Sequence, residues 1–391
     1  MKYDFDEIID RRNTDCLKYD FAVERGMPAD VLPLWVADMD FRTAPGIIQR
    51  AEEDAGFGIY GYTDSKDNYF QAVAAWYQNY FGWKVEKKWL VKTPGVVFAI
   101  GMAIQALTKE GDAVMIQQPV YYPFGAVVKD NDRVLVNNAL VLKDGHYEID
   151  FEDFEQKIIQ NQVKLFVLCS PHNPVGRVWT IDELRRMGEI CLKHDVKIIS
   201  DEIHSDFVYE GRKHYVFATV DSAFEQNSII CTAPSKTFNL AGLQASNIFI
   251  PNPQIRKAFE RQISAVGYSQ LNMIGLHACQ AAYETGREWL EELKAYLKGN
   301  LDYVRDYLEK NIPHIKLIEP EGTYLIWLDC RGLGLSEEKL EELIVHKAKL
   351  WLDAGAIFGK AGEGFERINI ACPRAVLEEA MKRLRGAIDR M

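Results

Sequence analysis

Four stretches place polar residues where apolar runs end, and each offers a residue type that could do chemistry. Lys236 lies in "CTAPSKTFNLAGLQ" (Cys231 to Gln244), among small, apolar and uncharged residues, with Glu225 and Arg256 as its nearest charged neighbours along the chain. A lysine desolvated at a strand end tends to lose its proton, and the neutral amine is a nucleophile able to form a Schiff base. A surface lysine is the ordinary alternative, and a fixed carboxylate nearby would keep the group an unreactive ammonium. Asp201 in "SDEIHSD" closes an apolar run, where a carboxylate is costly unless a cation meets it. Asn173 stands between prolines in "SPHNPVG", as a rigidly presented amide or an Asx turn. "TPGVV" (Thr93 to Val97) sets a Pro-Gly turn before a helical pattern, where free N–H groups favour an anion such as phosphate. A plain turn would carry the same letters. A metal held by Asp201, Glu202, His204 and Asp206 is a further reading, but the spacing matches no tight ligand set.

These residues need a scaffold. From about residue 90 to 250, short runs rich in Val, Ile and Leu ("WLVKTP", "DAVMIQQP", "RVLVNNAL", "VKLFVLCSP", "VKIISDE", "SIICTAP", "NIFIP") are interspersed with helical patterns such as "VVFAIGMAIQALTK" and "TIDELRRMGEICLKHD". That alternation predicts an α/β fold with a mostly parallel sheet buried on both faces. Thr180 followed by Glu183 predicts a capping box, which makes "CSPHNPVGRVW" a loop between a strand end and a helix start. Ligands bind at such strand-end loops in open α/β sheets. After about residue 280, long charged helices and two apolar strands predict a smaller α+β domain. The expected division is 1–50 joining the small domain, 51–280 the large domain and 281–391 the small one.

Composition narrows the function. With 391 residues and 48% hydrophobic content the chain can bury a large core. Its 46 basic and 57 acidic side chains give a net charge of −11, which repels nucleic acid and anionic lipid. The start "MKYDFDEIIDRRNTD" lacks a secretory pattern, and no apolar stretch approaches the roughly eighteen residues of a membrane span. Seven scattered cysteines without C-x-x-C predict reduced thiols and a cytoplasmic protein.

The ordered series "TPGVV", "QQPVYYPF", "LCSPHNPVGRVW", "SDEIHSD" and "APSKTFNLAGLQ" resembles the fold-type I pyridoxal phosphate enzymes. More narrowly it is similar to the MalY/PatB-type cystathionine β-lyase (C–S lyase) branch, from "FDEIIDRR" and "LPLWVADMDF" to "RINIACPR". The resemblance implies that Lys236 holds pyridoxal 5'-phosphate as a Schiff base and then takes the substrate Cα proton. It implies that Asp201 pairs with the pyridine nitrogen, Tyr121 stacks on the ring and Asn173 bonds the ring 3-oxygen. Val96 and Val97 would offer backbone N–H groups to the phosphate, with the hydroxyls of Thr232 or Ser235 as helpers. Arg367 would grip the substrate carboxylate, with Ala37 and Asn173 beside it. Tyr62 would reach the phosphate of a neighbouring subunit, which implies a homodimer with shared active sites.

Three departures from the aminotransferase pattern stand out. Gln244 replaces the phosphate-binding arginine eight residues after the lysine. His204, within "DEIH", replaces a tyrosine, marks the lyase branch and joins the cofactor-binding set. Ala233 replaces the serine three residues before the lysine. The activity implied is β-elimination of cysteine S-conjugates such as cystathionine, giving a thiol, pyruvate and ammonia, with Tyr121 or Tyr62 assisting departure of the thiolate. An aminotransferase using the same residues is the alternative within this fold. A regulatory protein acting through protein contacts is the alternative of another class.

Overall fold

The computed structural model describes residues 2–391. Seven strands form its larger sheet: β1 Leu90–Thr93, β2 Ala113–Ile116, β3 Val134–Asn137, β4 Leu165–Cys169, β5 Lys197–Asp201, β6 Ser228–Thr232 and β7 Ser246–Phe249. Their order across the sheet is β1-β7-β6-β5-β4-β2-β3. Only β7 runs against its neighbours, β1 and β6, so the sheet is mostly parallel as expected. Side chains on a strand alternate between faces, and each face here meets its own core. Val114, Leu165, Val167, Ile199 and Ile229 pack with the helices Val96–Leu107 and Pro253–Ala265. Met115, Phe166, Leu168, Ile198 and Ile230 face the other way, into the core shared with the rest of the chain. Burial on both faces explains why these strands read as unbroken apolar runs.

The helix Ile181–Lys193 starts at the expected capping box: Glu183 N–H donates to Thr180 Oγ1 at 3.2 Å, and Thr180 N–H to Glu183 Oε2 at 2.8 Å. The cap fixes where loop 170–179 ends.

A second, antiparallel sheet has the order β8-β9-β11-β10, from Lys316–Ile318 (β8), Leu325–Asp329 (β9), Asp353–Ala354 (β10) and Phe365–Asn369 (β11). The N-terminal segment meets this part of the chain where Leu32–Pro33 pairs in parallel with Leu350–Trp351 and Trp35 stacks on Trp351 at 4.5 Å. The expected boundaries at residues 50 and 280 fall inside the helices Pro45–Phe57 and Met273–Thr285, which pack on one another. Gly286 separates the second of these helices from the helix Arg287–Asn311. Among the described residues no helix is long and apolar enough to cross a membrane.

A buried ion cluster locks the two sheets together beside the Asn173 loop. Arg177 Nε donates to Glu321 Oε2 and its Nη2 to Glu183 Oε1, each at 2.9 Å, while Val178 N–H reaches Glu321 Oε2 at 2.8 Å. Gly176 has φ 74°, and a Cβ there would lie 2.8 Å from Pro320, so this approach needs glycine on both counts. Removing Glu321 leaves the Arg177 guanidinium buried with its charge only partly met. Glu321→Ala should cost about 3 kcal/mol of stability, measured by urea unfolding; a loss within error would mean that the cluster does not hold the sheets together.

Candidate active site

The strands β1, β2, β4, β5 and β6 end along one edge of the large sheet, and the loops that follow them enclose a cavity of about 270 Å³. β1 delivers Gly95, Val96 and Val97, and the loop after β2 delivers Tyr121. Asn173 follows β4, Asp201 and His204 follow β5, and Ser235 and Lys236 follow β6. Ala37 comes from the N-terminal segment, and Gln244 also lines the wall. The structure thus brings together nine of the twelve residues expected to bind cofactor or substrate, together with Gly95 and Gln244.

Three others lie elsewhere. Thr232 does not line the cavity: its buried hydroxyl donates to the Asn247 carbonyl at 2.7 Å, across the β6–β7 pair. The Thr232 hydroxyl is thus engaged away from the cavity, contrary to its expected place as a phosphate helper, whereas Ser235 lines the cavity. Tyr62 is fully exposed, at 101% of its reference area, and touches no part of the cavity within its own chain. Arg367 stands just behind the lining, reaching it through Asn173.

One end of the cavity suits an anion. Gly95, at φ 154°, turns the chain into the helix Val96–Leu107, whose first intrahelical bond is Ala99 N–H to Gly95 O at 3.1 Å. The N–H groups ahead of Ala99 therefore have no carbonyl of the helix before them, and the positive end of the helix dipole lies here.

The other end is built around an amine and an acid. Burial lowers Lys236 from the ordinary lysine value to about 8; Asp38 and Asp201 push it up, and Arg367 pushes it down. The sequence suggested an amine free of carboxylates, and space corrects this, because Asp38 is the strongest charge acting on it. Asp38 is itself taken by Arg11 Nη2 at 2.5 Å, while Arg11 Nη1 holds Asp40 at 2.8 Å. The Asp40 carboxylate also binds Lys18, whose side chain is fully buried, at 2.7 Å.

Asp201 is buried and raised to about 7 by that burial, against the pull of the Ile203 N–H, 3.1 Å from Oδ1, and of Lys236. It has no cationic hydrogen-bond partner among the described residues. Burial also holds His204 well below the ordinary imidazole range, with Lys236 and Arg367 adding to the effect, so the ring is neutral. Its Nδ1 is buried without a partner. Tyr121 is pushed up to about 12, chiefly by burial, and keeps its proton. The other acids of "SDEIHSD" are spent on structure: Glu202 binds His214, and Asp206 accepts from Trp76 and from Thr237, fixing the residue next to Lys236.

Arg367 lies on β11, buried over the Phe358 ring at 4.9 Å. Its Nη1 donates to Asn173 Oδ1 at 3.0 Å and its Nη2 to the Trp35 carbonyl at 2.9 Å and to Asp353. With Asn173 Oδ1 used this way, the Asn173 amide has its N–H groups left to offer. Asn239 and Asn369 went unnoticed in the sequence, yet they place Ala37. Asn239 receives Met39 N–H and donates to the Met39 and Phe41 carbonyls, and Asn369 donates to the Val36 and Asp38 carbonyls. The only signal in the sequence is that asparagine tolerates φ 57°, the conformation Asn239 adopts beside the lysine loop.

A half-buried amine with a lowered pKa, a buried acid without a cationic hydrogen-bond partner and a helix start with free N–H groups share one cavity. The model of the family "Aminotransferase class I and II" matches residues 29–384. The chain belongs to that family. The chain is 43% identical over 385 residues to cystathionine β-lyase PatB of Bacillus subtilis, covering 98% of this chain and all of that one. It is 33% identical to protein MalY of Escherichia coli, covering 99% of both. The crystal structure of cystalysin from Treponema denticola, which contains pyridoxal 5'-phosphate, superposes with a TM-score of 0.96 at 40% identity over both whole chains. Within the aminotransferase class I and II family, the chain stands with the cystathionine β-lyase branch.

Only a neutral Lys236 can attack a carbonyl. The rate at which cofactor-free protein captures pyridoxal 5'-phosphate should therefore rise with pH to a midpoint of about 8, well below the ordinary lysine value. Arg367→Ala removes a cation that holds the amine low and should move the midpoint upward. Stopped-flow absorbance reads both, and a midpoint that is ordinary for lysine, or unmoved in the variant, would contradict the electrostatics described above.

Proposed function

We propose that this protein catalyses the pyridoxal 5'-phosphate-dependent β-elimination of cysteine S-conjugates such as cystathionine, releasing a thiol, pyruvate and ammonia. The observation that carries the reading is the sharing of one cavity by Lys236, with its pKa lowered to about 8, and Asp201, a buried acid without a cation. The cavity fits the cofactor at both ends: unpaired helix N–H groups for a phosphate, and a carboxylate awaiting a protonated ring nitrogen. When bound, the cofactor supplies an aldehyde for the lysine and a ring that accepts electrons from the substrate Cα.

The protein's own groups do the rest. Lys236 would hold the cofactor through its amine and, when free of it, would take the substrate Cα proton onto Nζ. Asp201 keeps a proton on the ring nitrogen, and a cation there offsets the cost of burying the carboxylate. Val96 and Val97 give N–H groups and Ser235 a hydroxyl to the phosphate. The Asn173 amide, the neutral His204 and Tyr121 would hold the ring. Arg367 and the Ala37 backbone orient the substrate carboxylate. Tyr121 retains its proton and can donate to the departing thiolate.

A second copy of the chain completes the site in this reading. Tyr62 stands in an exposed run with Phe57, Ile59 and Tyr60, between 65% and 101% exposed, an apolar surface suited to a neighbouring subunit. The protein is then a homodimer whose Tyr62 serves the partner's phosphate.

Cystathionine with lactate dehydrogenase and NADH tests the reaction. NADH consumption without any added 2-oxo acid, abolished in Lys236→Ala, is expected; strict dependence on a 2-oxo acid would make the protein a transaminase. Mixing Lys236→Ala with Tyr62→Ala subunits tests the sharing. Partial activity should return after subunit exchange, because one site in each mixed dimer keeps both residues. No recovery despite proven exchange would place Tyr62 outside the site.

A further inference from the structure

Arg367 carries a partner that the substrate-binding reading does not use. Asp353 lies directly across from it in the antiparallel register of β10 and β11, so both side chains share one face of the small sheet. The Asp353 carboxylate accepts from Nη2, and the two side chains are 7% and 3% exposed. The guanidinium is bounded on its other sides. Phe358 lies beneath it, the Trp35 carbonyl takes Nη2, Asn173 takes one Nη1 proton, and Nε is buried without a partner.

We propose that Asp353 is the positioning residue of the substrate-carboxylate receptor, holding the Nη2 edge of Arg367 so that the Nη1 edge, beside Asn173, meets the incoming carboxylate. This rests on the reading of Arg367 as that receptor and goes beyond it. A guanidinium presents five N–H groups in a rigid planar fork, and a carboxylate reads the direction of that fork as well as its charge. An arginine side chain turns about several single bonds, so the plane is defined only if its neighbours define it. The Phe358 ring sets its tilt. Asp353, together with the Trp35 carbonyl, sets its rotation within the plane, because both take Nη2 while Asn173 takes Nη1. A carboxylate so close to the substrate's own carboxylate also repels it. The placement is favourable only if the directional gain exceeds that repulsion, and this gives the experiment its sign.

The test uses the holoenzyme with Asp353→Ala and Asp353→Asn. The variants are titrated, at the cofactor absorbance band, with L-alanine, which has an amine and a carboxylate but no leaving group, and with ethylamine, which lacks the carboxylate. Asp353→Ala should weaken L-alanine binding and raise KM for cystathionine about ten- to a hundredfold, the scale of a misplaced binding group, with kcat nearly unchanged. Ethylamine affinity should not move, and Asp353→Asn, which keeps an acceptor oxygen for Nη2, should restore L-alanine binding to near the wild-type level. Tighter L-alanine binding in Asp353→Ala would make Asp353 a competitor and overturn the proposal. Equal weakening of L-alanine and ethylamine, or an asparagine variant as impaired as the alanine one, would also overturn it. Asp353→Ser serves as the truncation should the alanine variant not fold. Arg367→Ala separates the underlying reading: unchanged L-alanine affinity there would remove Arg367 as the receptor, whatever Asp353 does.

Discussion

A basic amine and a carboxylic acid have to lie in one cavity of low polarity, and neither tolerates desolvation in its charged form. Lys236 answers by losing its proton more readily than an ordinary lysine, and Asp201 by holding its proton longer than an ordinary acid. The two shifts oppose each other, because each group in its charged form would stabilise the other. What keeps them from collapsing into a plain ion pair is placement. Lys236 sits on the short helix Pro234–Thr237, held through Thr237 by the buried Asp206, whereas Asp201 ends β5 with its carboxylate drawn to the Ile203 N–H. The reactive state of the amine is thus a property of the sheet edge, set by which strand ends where.

That edge is closed by parts of the chain far away in sequence, and polar interactions do the closing. Asn239 and Asn369 hold the segment 36–41 from opposite sides, one from the lysine loop and one from the small sheet. The Arg177–Glu321 cluster ties the Asn173 loop to the small domain. Each buried polar group in these contacts would cost about 1–3 kcal/mol if left unpaired, so a shift of one sheet against the other breaks several bonds together. Ala37, Asn173 and Arg367 accordingly keep fixed relations although they come from three distant stretches.

The parallel sheet was legible because strands buried on both faces leave unbroken Val, Ile and Leu runs, and the helix at Thr180 because a capping box is a local pattern. The residues at strand ends were legible as chemistry once polar letters interrupted apolar runs: Lys236, Asp201 and Asn173 all announce themselves in this way. Asp38, Asp353, Asn239 and Asn369 did not. Each acts through a partner between 14 and 333 residues away, and nothing local distinguishes an aspartate beside an arginine in space from one on the surface. Thr232 misled for the same reason. A hydroxyl near the lysine in sequence fits a phosphate site, but on a strand next to β7 its nearer acceptor was the Asn247 carbonyl.

The charges around the cavity also bear on Gln244. Arg367 is offset by Asp353, and Asp38 by Arg11, so apart from Asp201 and Lys236 the fixed charges nearly cancel before any ligand enters. With Gln244 in this wall, no full positive charge from this loop would meet the phosphate in the proposed site. Its negative charge would fall to the helix start at Val96, where the dipole supplies about half an elementary charge, and to neutral donors. Such donors act by direction and close contact, and a buried site is screened far less than exposed ion pairs are. In the proposed site the phosphate end would therefore depend on the backbone geometry that Gly95 permits at φ 154°, more than on any one cationic side chain, because the helix start has to face the anion directly.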